Sequence, residues 1–447
     1  MKLKRYSLIA GLLFLFAGIL QGQNIRYFSL QEALDFAMDS SYQILISEKN
    51  IEAAKARVLE STAIGLPQID GSVSYNDNFS RPTFIFPSFT PGGKEMEIQM
   101  GTNYDATLGA SLNQLIFSGK YIVGLKAAKK FLDRTNADFF KDKLAVRQQV
   151  ANSYYSVLST EAALEVVDTT YTVTKSLADE TRQIYNVGFA EDIDVDQLDL
   201  LVADLEANRI FLENQRGIAY AYLKFYLGLN ENDSIVLTDD MQTLVDLRLK
   251  SMNLTEPFKY SQNADYVSIA KQKELSLLQV NLAKSEYLPS ISARVNYQTQ
   301  AQRNSWDFFS AGEKWFQSGS LGITMNVPIF SSGQRKAKVK QAKIAFEQVD
   351  ISEKQLINTL NLQYQTAKNE YLNAYQVYQN KNKARKVADK IFSKTRVKFT
   401  QGMASSLDIL NTQKQFLKAE NDFITASQTL LKAGEDLEKL LTNAINQ

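Results

Sequence analysis

The chain of 447 residues contains no cysteine and no histidine. It therefore has no disulfide, no thiolate nucleophile, none of the usual zinc ligands, and not the commonest general base near neutral pH. Only Ser/Lys or paired-carboxylate chemistry would remain open to an enzyme, so neither catalytic residues nor a metal or cofactor is expected. Proline is scarce as well, seven residues at 67, 82, 87, 91, 257, 289 and 328, which points to long uninterrupted elements. Neither sign of charge dominates, with 50 basic against 49 acidic side chains. A nucleic-acid footprint is therefore missing. Beyond residue 22 no run of about 20 apolar residues occurs, so no transmembrane helix is expected there.

What is present begins with a secretory pattern at residues 1–22. Lys2, Lys4 and Arg5 precede the apolar run Leu8 to Leu20, and small or polar residues follow near Gly22. Loss of those three cations would leave the mature chain slightly acidic, at a net charge of about −2. With no cysteine after the signal, a lipidated N-terminus is not expected.

The sequence also repeats itself. Leu108 to Ser118 (LGASLNQLIFS) returns as Leu321 to Ser331 (LGITMNVPIFS), an offset of 213 residues with six of eleven positions identical. Leu66-Pro67 returns as Leu288-Pro289, and Gly188-Phe189-Ala190 with Asp194 returns as Gly402-Met403-Ala404 with Asp408. So long an offset is a duplicated half-molecule rather than a short solenoid period.

Within each half, two segments alternate with period two. Ile69, Gly71, Val73 and Tyr75 oppose Gln68, Asp70, Ser72, Ser74 and Asn76; Tyr104, Ala106, Leu108, Ala110 and Leu112 oppose Asp105, Thr107, Gly109, Ser111 and Asn113. In the second half Ile291, Ala293, Val295 and Tyr297 oppose Ser290, Ser292, Arg294, Asn296 and Gln298, and Leu321, Ile323, Met325 and Val327 oppose Ser320, Gly322, Thr324 and Asn326. Segments of about 9–10 residues with one apolar face match transmembrane β-strands, and equally a soluble sheet with one wet face. Two hairpins cannot close a barrel, and an open edge cannot face lipid, so several copies would have to share one. Long loops, Asn78 to Thr102 and Thr299 to Gly319, would join the strands at one end. The second holds Trp306, Phe308, Phe309, Trp315 and Phe316, which suit a membrane interface or packing inside the loop.

The remaining sequence is helical. Lys120 to Val187 holds 68 residues with a single glycine, and Gln334 to Gln401 another 68 with neither glycine nor proline. A helix of that length would run about 100 Å. Ile357, Leu360, Tyr364, Ala367, Tyr371, Ala374 and Tyr378 step by three and four, a coiled-coil seam best read as packing. After the turns at Gly188 and Gly402, return helices are expected at about 193–229 and 407–441. Shorter helices are expected at 30–64 and 264–286, each stopped by Leu-Pro. The polar, aperiodic stretch 230–263 reads as a linker running along the outside of the rods.

In this order and spacing, the paired Leu-Pro, Ile-Phe-Ser-Gly (116–119) with Ile-Phe-Ser-Ser-Gly (329–333), and the two Gly-to-Asp turns resemble the TolC-like outer membrane efflux proteins. The resemblance spans nearly the whole mature chain. It implies a membrane α+β fold in which three chains each give four transmembrane strands to one 12-stranded barrel, continued by a long periplasmic α-helical coiled-coil barrel. It divides the chain into N-terminal periplasmic helices (23–66), a first transmembrane hairpin (67–117) and a first helical hairpin (118–229). After the linker (230–263) come a helix (264–288), a second transmembrane hairpin (289–330) and a second helical hairpin (331–447). It further implies a homotrimer in the outer membrane of a Gram-negative bacterium, a passive exit channel docked on a periplasmic adaptor and an inner-membrane pump.

By the same resemblance, Asp408 with Asn411 and Asp194 would line the periplasmic entrance, where crowded carboxylates would favour cations and raise one another's pKa. Ser405 to Asp408 also fits a capping box, and both roles stay open. Asn411 stands where relatives often carry a second carboxylate. Gly188, Ala190, Gly402 and Ala404 would dock the adaptor, since small side chains allow close approach. Glu191, Asp192, Asp194, Asp196 and Asp199 crowd the first turn, and complementing the helix N-terminus is the simpler account of them. Cations open both rods (Lys120, Lys126, Lys129 and Lys130; Arg335, Lys336, Lys338, Lys340 and Lys343), implying a nearby anion or a solvated face. A periplasmic adaptor or structural coiled-coil protein is the alternative function.

Overall fold

The computed structural model describes residues 25–87, 90, 92–252 and 257–444. The expected signal segment 1–22 lies outside them. In chain order the elements are β1 (Arg26–Phe28), α1 (Leu30–Ser40), α2 (Tyr42–Ala63), β2 (Gln68–Asp77), β3 (Thr83–Phe86), β4 (Met96–Gln99) and β5 (Tyr104–Ser118). Then follow α3 (Gly119–Asn186), α4 (Asp192–Leu227), β6 (Ile235–Leu237), α5 (Met241–Ser251), α6 (Ala264–Ser285), β7 (Ser290–Arg303), β8 (Phe316–Asn326), α7 (Gln334–Thr400) and α8 (Ser406–Leu441). Among the described residues no helix is long and apolar enough to cross a membrane.

The chain divides into two compact units. One comprises residues 51–136 and 269–353 and contains the main sheet, in strand order β2-β5-β7-β8, with every neighbouring pair antiparallel. Its register places Ile69 opposite Leu112, Val73 opposite Leu108, Ala110 opposite Tyr297, and Val295 opposite Leu321. The apolar residues of the alternating pattern within these strands therefore fall on one face, because successive side chains point to opposite sides of a strand, while Val327 lies just past the end of β8. β5 and β7 run to 15 and 14 residues, longer than expected, with a register shift between Leu115 and Phe117. Mostly polar residues, Thr299 to Arg303, extend β7, and Gln114 to Ser118 extend β5, since backbone pairing continues without strict alternation once the neighbouring strand is in place. The first loop also contains a second small hairpin, β3 with β4, that the sequence reading missed.

The other unit comprises residues 1–50, 137–268 and 354–447. Its core joins Leu34, Ile44, Val150, Tyr154, Leu223, Leu227, Val245, Tyr371, Leu430 and Leu437. Of the coiled-coil seam, Leu360, Ala367, Tyr371, Ala374 and Tyr378 are buried. Two expectations are corrected here. The helix expected over 30–64 is broken at Ser41, where the Ser40 hydroxyl donates to the Leu227 carbonyl and the Ser41 hydroxyl accepts from the Ile44 amide. Serine side chains offer the backbone an alternative to helix continuation. The 230–263 stretch is also more than a linker. β6 pairs in parallel with β1, and α5 buries Leu244 and Val245 in the core. Its polarity hid two structural anchors. Asp239 accepts hydrogen bonds from the Leu30 amide (2.6 Å) and the Tyr154 hydroxyl (3.0 Å). The Arg248 guanidinium donates to Glu435 and Glu438 of α8, and Glu435 also accepts from the Tyr155 hydroxyl.

Candidate functional site

The two turns between long and return helices are built alike. Gly188 and Gly402 sit at φ +85° and +71°, in the left-handed region where a Cβ is strained. At the first turn the Gly188 amide reaches the Tyr185 carbonyl and the Phe189 amide that of Ile184. At the second, Gly402 reaches Phe399 and Met403 reaches Lys398. Both are Schellman closures, which satisfy the orphan carbonyls at a helix C-terminus. A Cβ added at either glycine would meet no atom within 4 Å. Both glycines therefore face open space, with Ala190 and Ala404 half-buried beside them.

The helix starts beyond these turns differ. Ser405 caps α8 in a complete capping box: its hydroxyl accepts from the Asp408 amide, and the Asp408 carboxylate accepts from the Ser405 amide at 2.9 Å and its hydroxyl at 2.7 Å. Those bonds, from the Ser405 amide first and its hydroxyl second, hold the exposed Asp408 carboxyl below the usual range. Within one chain this runs opposite to the raised value expected for a crowded ring. Glu191 caps α4 without any side-chain bond, and Asp192 and Asp194 fill the first turn instead.

Asp194 is drawn into a link that the sequence did not reveal. The Ser406 hydroxyl, buried at the start of α8, donates to the Asp194 carboxylate and also contacts the Gln197 side chain at 2.8 Å. The fold thus ties Asp194 to the residue two before Asp408, while Asn411 lies exposed nearby. Asp199 pairs with Arg182 across α3 and α4, and Leu177, Ala178, Leu198, Leu201 and Ile409 form a small apolar cluster behind the turns. Further along, the buried Thr174 hydroxyl donates to Gln413 Oε1 at 3.0 Å, leaving Gln413 Nε2 without a partner. Thr170, Thr174 and Thr181 are buried along α3, a polar seam that an apolar-pattern reading passes over.

The sheet is the second candidate surface. On its apolar face Ile69, Val73, Leu321 and Ile323 are 74%, 80%, 75% and 71% exposed, far more apolar surface than a lone soluble sheet would leave in water. The opposite face carries Asp70, Asp105, Asn113, Arg294 and Asn296. Arg294 donates to Asn113 at 2.6 Å and Asn76 to Asp105 at 2.7 Å. Outer strands β2 and β8 have no pairing partner on their far sides among the described residues.

Of the cations that open the long helices, several are already matched. Lys130 pairs with Glu274 and Asp133, Lys338 with Glu286, and Arg335 is buried over the Tyr287 ring. Carboxylates of the same unit supply those anions. No cluster that could hold a metal ion occurs among the described residues.

The sequence profile of the family described as "Outer membrane efflux protein" matches residues 33–229 and 261–443. The outer membrane protein TolC of Vibrio cholerae is 21% identical over 318 residues, covering 71% of this chain and 68% of that protein. The solvent efflux pump outer membrane protein SrpC of Pseudomonas putida is 21% identical over 427 residues, 92% of this chain and 85% of that one. Among solved structures, the CmeC outer membrane channel of Campylobacter jejuni superposes with a TM-score of 0.72 at 17% identity, covering 94% of this chain and 87% of that chain.

Proposed function

The chain belongs to the outer membrane efflux protein family, with its TolC-like fold, and from that premise we propose that it is a passive trimeric exit channel of the outer membrane. One observation supports this above the others: a four-stranded sheet with one exposed apolar face, one polar face and two unpaired edges. Backbone groups at an open edge cannot be left in lipid. Joining β2 of one copy to β8 of the next removes both edges, and three copies give the 12 strands of the family's barrel. The polar face, with Asp70, Asp105, Asn113 and Arg294, then lines a water-filled lumen, as in other membrane barrels. Nothing in such a wall breaks or makes covalent bonds in the cargo, which passes through.

The helical turns are the proposed periplasmic end, where the channel meets an adaptor bound to an inner-membrane pump. Gly188 and Gly402 suit docking because their Cα positions open onto free space, letting another helical hairpin approach closely. Asp408, exposed and held ionised by its cap, is the proposed entrance carboxylate. Asp194 contributes by fixing the start of α8 through Ser406.

Planar-bilayer recording of the purified protein tests the reading. Cation-preferring conductance from a three-chain particle is expected, together with adaptor crosslinking at residues introduced beside Gly402. Absence of conductance under conditions that open the periplasmic end would overturn it.

A further inference from the structure

The second hairpin loop, residues 304–315, does not extend away from the sheet. At the end of β7, Ala301 and Arg303 are buried while Gln302 between them is exposed. Ala301 pairs opposite Ala106 and Arg303 opposite Tyr104, both positions on the apolar face. The burial alternates because the loop covers that face and no other.

Its interior is made to hold this position. The Arg303 guanidinium donates to the Lys314 carbonyl (2.7 Å) and the Gln302 carbonyl (3.0 Å), and is paired at 3.3 Å with both Asp307 and Glu313. Phe308 is buried edge-on against the Tyr75 ring of β2, at 5.9 Å and 79°. The Trp315 indole donates to the Phe308 carbonyl at 3.2 Å. An arginine on the apolar face is thereby paired and covered. On the same loop, Trp306 and Phe309 are 64% and 85% exposed, with the Trp306 ring edge-on to the buried Phe308 and its side chain in hydrogen-bond contact with Tyr75 of β2. They form one aromatic patch, with ring centroids 6.2 Å apart.

We propose that residues 304–315 form a foot that lies on the membrane beside the barrel wall and seats Trp306 and Phe309 among the headgroups of the lipid leaflet at that end of the strands. The patch is continuous with the apolar sheet face, so the inference rests on that face being in the membrane. A tryptophan at this level has its apolar ring in lipid and its N–H beside a polar partner, here the Tyr75 side chain, and such amphipathic rings are enriched at bilayer interfaces. The foot fixes how deeply the strands sit and keeps this loop off the pore mouth.

Because the sequence holds only two tryptophans, the test is direct. In Trp315→Phe, reconstituted in phosphatidylcholine vesicles, Trp306 is the single emitter. Lipids brominated at shallow acyl positions should quench it more than lipids brominated near the chain ends, with blue-shifted emission and little quenching by aqueous acrylamide. Emission quenched by acrylamide and not by lipid would overturn the foot. So would emission shielded from both, which would put Trp306 between protomers. A second protein, Trp306→Phe/Trp315→Phe/Leu321→Trp, reports the sheet face. Deep quenching there without quenching of Trp306 removes the foot alone; quenching of neither removes the membrane reading with it.

Discussion

At the scale of single residues, Asp408 carries two roles that substitution separates. Ser405→Ala removes one side of the capping box and leaves the charge, whereas Asp408→Asn removes the charge and keeps an acceptor for the Ser405 amide. Asp408→Asn should therefore lower cation preference in single-channel reversal potentials, and Ser405→Ala should not. Because the Ser405 bonds lower the Asp408 pKa, the charge persists as pH falls past about 3.9, the value of an unperturbed aspartate. The cap's contribution to stability is fully present above that value and is lost only as pH falls through the lower folded value. Cation preference should then hold at about pH 5 and persist to pH values below that of an ordinary aspartate before it fades. Arg248 is the other decisive residue. Burial raises the Glu435 carboxyl above the ordinary range, and the Arg248 guanidinium opposes this only in part. Arg248→Met would strand that carboxylate and should cost about 3–5 kcal/mol, seen as a lower midpoint for thermal loss of helix circular dichroism. Gly434 belongs to the same arrangement, since an added Cβ would lie 2.8 Å from Arg248 Cδ.

At the scale of elements, the turns and the strands carry different sensitivities. Gly188→Ala or Gly402→Ala meets no neighbour, so its cost is that of the left-handed backbone alone, about 1–2 kcal/mol. Hydrogen exchange should show it as faster opening confined to the turn and the first turn of the following helix. In β8, Leu321 and Ser320 are adjacent but face opposite sides. Leu321→Lys should cost roughly 2–4 kcal/mol at the membrane midplane and reduce the folded fraction in vesicles. Ser320→Lys on the polar face should insert normally and alter conductance instead.

At the scale of the whole molecule, one chain of the proposed trimer is a third of a closed wall. Native mass spectrometry of the detergent-extracted protein should give a three-chain particle. A conducting monomer or dimer would contradict the closure argument, because four or eight strands of this register cannot reproduce the family's barrel. The duplication has its meaning at this scale. Each half contributes one strand pair to the main sheet and one long helix with its return, so three chains present six similar segments. The equivalence stops at the turns, where one helix start is a capping box and the other is a bare Glu191 beside Asp192 and Asp194.

Most of the architecture was legible because it is local. Period-two alternation marked the four strands, the lack of proline and glycine marked α3 and α7, and positive-φ glycines marked both turns, each set by sterics or solvent over a few neighbouring residues. The apolar face of the sheet followed from the same alternation. What the tertiary structure decided depends on residues far apart in sequence. The 230–263 stretch looked polar because its charges are matched by partners elsewhere, Asp239 by the Leu30 amide and Tyr154, and Arg248 by Glu435. Asp194 stood out in sequence as the counterpart of Asp408, but its bond to Ser406, 212 residues on, appears only in the fold. The loop aromatics looked like a girdle or a local cluster, and only the burial of Ala301 and Arg303 beneath them put the loop on the apolar face. Periodicity determines which way a side chain points; which distant group it meets is settled only when the chain has folded.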